Sequence, residues 1–251
     1  MTATAARSKF LGLSLDALTL KQTVARCVTA VENRENLSIG VVNAAKTVHM
    51  SHDAVLRDSV ASCDLVVADG QAVVWASRVL GQPLPERVAG IDLFTSLMEE
   101  GGRRGYRAYF LGARPEVVEQ VVAQVRDRYP GLVVAGARDG YFTDEQAGEV
   151  AALIGQARPD LLFLGMTSPK KEIFLARFAD DIKAGVIHGV GGSFDVFAGK
   201  VRRAPVLWQK LGFEWLYRLL QEPVRLGPRY LSTNTRFAWM VVKEYVQKKA
   251  R

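Results

Sequence analysis

The sequence predicts an α/β fold: a doubly wound, mostly parallel sheet with a helical C-terminal appendage. Three observations predict it. Short β-branched runs alternate with helical patterns through the first 200 residues. Those runs are continuously apolar, which suits strands covered on both faces. After about residue 200 no further strand is evident, and the charge balance changes. The expected division is a Rossmann-like body over 1–200 and a basic, tryptophan-bearing appendage over 201–251.

In chain order, strands are expected at 38–43, 64–67, 106–111, 132–136, 160–164 and 185–188. Each is a short run rich in Val, Ile, Leu or aromatic residues. Helices are expected at 16–33, 46–61, 71–79, 91–101, 115–128, 144–157 and 169–178, where apolar residues recur at helical spacing. Segment 81–90, GQPLPERVAG, reads as a loop because of its prolines and glycines. The tail is expected to form two or three short helices broken at Pro223 and Pro228.

A chain of 251 residues fits one domain with a small appendage, and 49% hydrophobic with 24% charged residues fits a globular core. No apolar run approaches the roughly 18–20 residues that span a bilayer. The N-terminus, MTATAARSKF, lacks the apolar stretch of a secretory signal, so a cytoplasmic location is expected. Cys27 and Cys63 are expected to pack in the core as free thiols.

Charge is unevenly spread. From Lys200 to Arg251 there are twelve Lys/Arg against three Asp/Glu, a net of +9, while the whole chain carries +7. Trp208, Trp215 and Trp239 fall in the same stretch. This asymmetry points to an anionic partner. Basic residues alternate there with large apolar ones, which fits an anionic membrane surface and argues against nucleic acid.

In doubly wound sheets ligands bind outside the carboxyl ends of the strands, so the residues after each strand are the candidates. Asn43 follows the first; it suits either a helix N-cap or a ligand hydroxyl. Asp69-Gly70 follows the second. Asp69 suits a general base or a helix cap, and Gly70 permits close approach of a ligand. Arg87, between Pro85 and Gly90, suits a diphosphate clamp or a solvated loop position. Ser168-Pro169-Lys170-Lys171-Glu172 reads as an N-cap with proline at N1, opening a helix whose N-terminus favours an anion. Gly189-Val190-Gly191-Gly192-Ser193-Phe194-Asp195 offers backbone to phosphate or sugar.

Two familiar chemistries do not fit. Gly192 and Gly199-Lys200 are separated by six residues, where a Walker A loop needs four. Phe194 stands where a dinucleotide fingerprint needs its third glycine. ATP hydrolysis and nicotinamide-dependent hydride transfer both lose ground. His49 and His52 lie i,i+3 on a helix with no further ligand beside them, and Asp-x-Asp is absent from the chain. Neither a metal nor an organic cofactor is expected.

Taken together, VVN (41–43), VVADGQAVVWASRVLG (66–81), LPERVAG (84–90), LGMTSPKKE (164–172) and GVGGSFDVFAGKVRRAP with GFEWLYRLLQEPVR resemble the WecG/TagA/CpsF family of bacterial glycosyltransferases, glycosyltransferase family 26. The resemblance runs from about residue 10 to 245. It implies an inverting, metal-independent transfer of a sugar from a UDP-sugar to a polyprenyl-diphosphate-linked sugar, in cell-surface polysaccharide synthesis at the inner face of the cell membrane. It implies Asp69 as base, with Asn43, Arg87 and Asp195 in substrate binding. It places Arg218, Arg225 and Arg229 near the leaving diphosphate and the membrane. Gly70, Lys171, Gly191 and Gly192 belong with the substrate-binding set. Two positions depart from the family pattern. Val41 stands where members often carry Thr, and Lys171 where many carry Gln, so the donor sugar does not transfer with the resemblance. A non-catalytic UDP-sugar-binding or scaffolding subunit is the alternative function, and a homo-oligomer is compatible with either.

Overall fold

The computed structural model describes residues 6–250; within that span the side chains of Lys210, Arg225 and Arg229 lie outside the described residues. Its centre is a six-stranded, wholly parallel sheet. The strands are β3 (Leu37–Val42), β4 (Leu65–Ala68), β5 (Arg107–Gly112), β6 (Val133–Arg138), β7 (Leu161–Gly165) and β8 (Val186–Gly189), in spatial order β4-β3-β8-β7-β5-β6. All six strands expected from the apolar runs are present.

The sheet is covered on both faces, and the strands show why their runs are continuous. Leu161 and Phe163 of β7 enter one core with Phe94, Val121 and Phe194, while Leu162 and Leu164 enter a second with Phe142, Ile154 and Phe174. The first core is closed by α1 (Leu20–Glu32), α5 (Gly90–Arg104), α6 (Pro115–Arg128) and the short α9 (Ser193–Phe197). The second lies under α7 (Ala147–Ala157) and α8 (Lys170–Phe178). A third core under α2 (Ala44–Met50), α3 (Ala54–Ala61) and α4 (Gln71–Val79) packs on β3 and β4.

Several boundaries differ from expectation for identifiable reasons. An N-terminal hairpin, β1 (Arg7–Phe10) and β2 (Leu13–Asp16), turns through Leu11 (φ 46°) and Gly12 (φ 82°), a two-residue turn with both φ positive. Asp16 anchors it by accepting from the Val66 amide at 2.7 Å. Helix α1 therefore starts at Leu20, behind a Thr19–Gln22 capping box, and not at residue 16. The helix expected at 46–61 is two helices, because the Asp53 carboxylate caps a new one by accepting from the Leu56 amide at 2.9 Å.

The tail forms α10 (Val206–Lys210), α11 (Glu214–Gln221) and α12 (Pro223–Lys249). Pro223 opens α12 at its first position, but Pro228 does not break it. The N–H that Pro228 lacks would have bonded the carbonyl of Val224, a residue 90% exposed, where water can serve instead. Further along, Phe237 is buried in the third core and packs 6.3 Å from Phe10 between ring centroids. The far half of the tail thus shares a core with the body. Among the described residues no helix is long and apolar enough to cross a membrane. Cys27 and Cys63 are both free, and burial pushes the Cys27 thiol up to about 12.

Candidate functional site

The carboxyl ends of β3, β4, β7 and β8 meet in one region, and most candidate residues meet there too. Asn43 ends β3 and caps α2: its Oδ1 accepts from the Lys46 amide at 2.9 Å. Its Nδ2 donates to Asp69 Oδ2 at 3.4 Å. The structure therefore joins the two roles the sequence left open, since one amide both caps a helix and touches the acid. Gly70 follows Asp69 and packs on Asn43; a Cβ there would lie 3.0 Å from Asn43 Cβ, so any larger residue would push the two strand ends apart.

Asp69 is held from a second side. Its Oδ1 accepts from the Gly90 amide at 2.8 Å, and Gly90 is the first residue of α5. A carboxylate at a helix N-terminus meets unsatisfied N–H groups and the positive end of the helix dipole. The carbonyl of Gly90 is bound in turn by His188 Nε2 at 3.0 Å. A carbonyl only accepts, so Nε2 carries the proton and Nδ1 is left bare. Among the described residues that buried Nδ1 has no partner, and burial pushes the imidazole pKa down to about 4. His188 is thus a neutral, fixed donor beneath the Asp69 loop. It went unnoticed in the sequence because it sits inside an apolar strand.

Beside this set lies a buried charge cluster. Glu172, 5% exposed, accepts from Ser168 Oγ at 2.9 Å and pairs with Lys171 at 3.0 Å and Lys46 at 3.7 Å. Burial alone would raise the Glu172 pKa; the two ammoniums and the hydrogen bonds outweigh it and bring the carboxyl below its usual value. Lys46 shifts down to about 8, through burial first and Lys171 second. The Lys171 side chain packs across Gly189 at the end of β8. Ser168 does not cap α8 as expected. The N-cap position is Pro169, and the Ser168 hydroxyl serves Glu172 instead. Lys46 and Glu172 were missed as site residues, since no sequence signal links two helices that follow different strands.

The glycine turn after β8 is open on its outer side. Gly191 has φ 51°, a conformation that favours glycine, and a Cβ at Gly191 or Gly192 would meet nothing within 4 Å. Asp195 lies in the first turn of α9, half-buried.

Arg87 is brought together with the tail and not with Asp69. Its Nη1 donates to Glu214 Oε2 on α11 at 2.9 Å, and its Nη2 lies 4.0 Å from Asp92 on α5. Arg203 Nη1 pairs with Asp92 at 2.6 Å, and Arg218 Nη2 lies 3.8 Å from Glu214. Arg225 and Arg229 lie on α12, with their side chains outside the described residues. The tail exposes Val206, Leu207, Leu211, Phe213, Trp215 and Leu220. His49 and His52 are both exposed, and among the described residues no three His, Cys, Asp or Glu side chains cluster as metal ligands would.

Residues 8–251 match the sequence profile described as the glycosyl transferase WecG/TagA/CpsF family. An N-acetylglucosaminyldiphosphoundecaprenol N-acetyl-beta-D-mannosaminyltransferase from Bacillus spizizenii is 39% identical over 174 residues. That alignment covers 69% of this chain and 65% of the relative, just under two thirds of the relative's own length.

Proposed function

Since the chain belongs to the glycosyl transferase WecG/TagA/CpsF family, we propose that it transfers a sugar from a UDP-sugar to a polyprenyl-diphosphate-linked sugar, with inversion and without a metal ion. The reaction serves cell-surface polysaccharide synthesis. The observation that carries this proposal is the seat of Asp69. It is a half-buried carboxylate at the end of a parallel strand, oriented by the Gly90 amide at 2.8 Å and by Asn43 at 3.4 Å. A carboxylate so fixed keeps lone pairs free for an incoming hydroxyl.

In the proposed step the acceptor hydroxyl oxygen attacks the anomeric carbon of the donor. The bond from that carbon to the UDP β-phosphate oxygen breaks, and the electron pair leaves with UDP. The hydroxyl proton passes to Asp69. Developing charge on the leaving diphosphate calls for cations. Arg87 and Arg218 supply them, with Arg225 and Arg229 also on the tail. The neutral His188 keeps the Gly90 peptide, and through it Asp69, in place.

The acceptor class is supported by the relative's name, which specifies transfer to N-acetylglucosaminyldiphosphoundecaprenol. Such a lipid resides in a membrane, and the exposed apolar face of α10 and α11 beside the basic tail suits peripheral docking. The proposed location is the inner face of the cell membrane. The test is UDP release from a panel of UDP-sugars with a short-chain lipid-diphosphate-linked sugar as acceptor. Acceptor-dependent release with one donor supports the enzyme; UDP-sugar binding without release from any donor favours the scaffolding alternative.

A further inference from the structure

The arginines that meet the tail outnumber their partners. Arg87, Arg203 and Arg218 converge on two carboxylates, Asp92 and Glu214. Among these five charges one positive charge is left over. The surplus has a local signature at Arg203. Its Nη1 pairs with Asp92 at 2.6 Å, but its Nε lies 3.7 Å from Glu214, and both Nε and Nη2 are buried without a hydrogen-bond partner among the described residues. A buried N–H without an acceptor is costly, and a guanidinium offers its donors as a planar fork that matches phosphate oxygens.

The cluster also has the right address. Arg87 lies three residues before Gly90, whose amide holds Asp69, and Asp92 lies two residues after it. We propose that Arg203 is a diphosphate-binding residue, completing a three-arginine site with Arg87 and Arg218 whose guanidinium groups Asp92 and Glu214 hold together. The proposal rests on the chain being a transferase that handles diphosphates. Asp92 is about one third exposed, and its displacement by an anion would free the Arg203 Nη1 that it holds at 2.6 Å. The diphosphate can belong to the UDP donor or to the lipid acceptor; the chemistry of capture is the same.

The two kinds of neighbour predict effects of opposite sign. Inorganic pyrophosphate is titrated calorimetrically into the full chain, and UDP and farnesyl diphosphate are then used as competitors. Arg203→Gln should weaken pyrophosphate binding about tenfold, the scale of a charge-assisted hydrogen bond. Asp92→Asn should tighten it roughly threefold by removing a competing carboxylate. A purely structural ion-pair network gives no gain on losing Asp92. The competitor whose affinity falls in Arg203→Gln identifies the source of the diphosphate. Unchanged binding in Arg203→Gln, or weakened binding in Asp92→Asn, overturns the assignment even if sugar transfer is observed. The expected signs without any sugar transfer would leave the anion site standing and remove the transferase reading.

Discussion

Asp69 and His188 are joined through a single residue: the Gly90 amide donates to the Asp69 carboxylate at 2.8 Å, and the Gly90 carbonyl accepts from His188 Nε2 at 3.0 Å. The acid that follows β4 is thereby tied to the middle of the sheet at β8. Ala68 adds a further tie by accepting from the Val88 amide at 2.8 Å. The segment just after Arg87 is thus pinned at Val88 and at Gly90 by the residues around the proposed base.

The buried His188 makes stability depend on acid. In the folded chain its pKa is about 4, against 6.5 in the unfolded chain, because burial disfavours the charged ring. Between those values the unfolded state binds the extra proton, so the His188 contribution is intact above about pH 6.5 and is lost as pH falls to about 4. The full loss is about 3 kcal/mol. Urea unfolding of wild type and His188→Gln from pH 7.5 to 4 should show the difference between them shrinking across that window.

Asn43→Ala should reduce stability by about 1 kcal/mol through the lost α2 cap. It should also lower transfer, since the same amide touches Asp69. Asn43→Asp should restore the cap but not the activity, because it sets a second carboxylate beside the base. Unfolding midpoints and UDP release, measured on both variants, separate the two roles.

The legible parts of the fold were those whose pattern follows from burial alone. Continuous apolar runs marked all six parallel strands, because both sheet faces are covered. The hairpin was hidden because its strands have four residues each and its turn is Leu11-Gly12, not the usual Asn-Gly. The Pro228 break did not occur, because one missing N–H near an exposed helix start costs little beside the burial of Phe237. In the site, Asn43 and Asp69 were visible as polar residues at strand ends. Glu172, Asp92 and Glu214 were not, because an acid near a helix start reads equally as a complement to the helix dipole. Only the packing of distant helices shows which cation each one meets.

Phe237→Ala should cost about 3 kcal/mol, as the removal of a buried aromatic does, and should do so without loosening α11 from Arg87. Thermal unfolding together with tryptophan fluorescence of Trp215 checks both statements.

Leu207 and Leu211 line a shallow apolar cavity of about 210 Å³ with Trp208, Phe213 and Leu216. Leu207→Asp combined with Leu211→Asp should reduce cosedimentation with anionic vesicles several-fold while leaving the unfolding midpoint near wild type, since both side chains are exposed. Unchanged sedimentation would remove α10 from the membrane surface.

In the proposed step Asp69 takes the acceptor proton, and acceptor-dependent UDP release by Asp69→Asn measures that role. The amide keeps the size of the side chain and an oxygen for the Gly90 amide, so folding and UDP-sugar binding should persist. Release should fall by about 10²–10⁴-fold, the usual contribution of a positioned base. Turnover within a few-fold of wild type, with binding intact, would show that Asp69 is not the base.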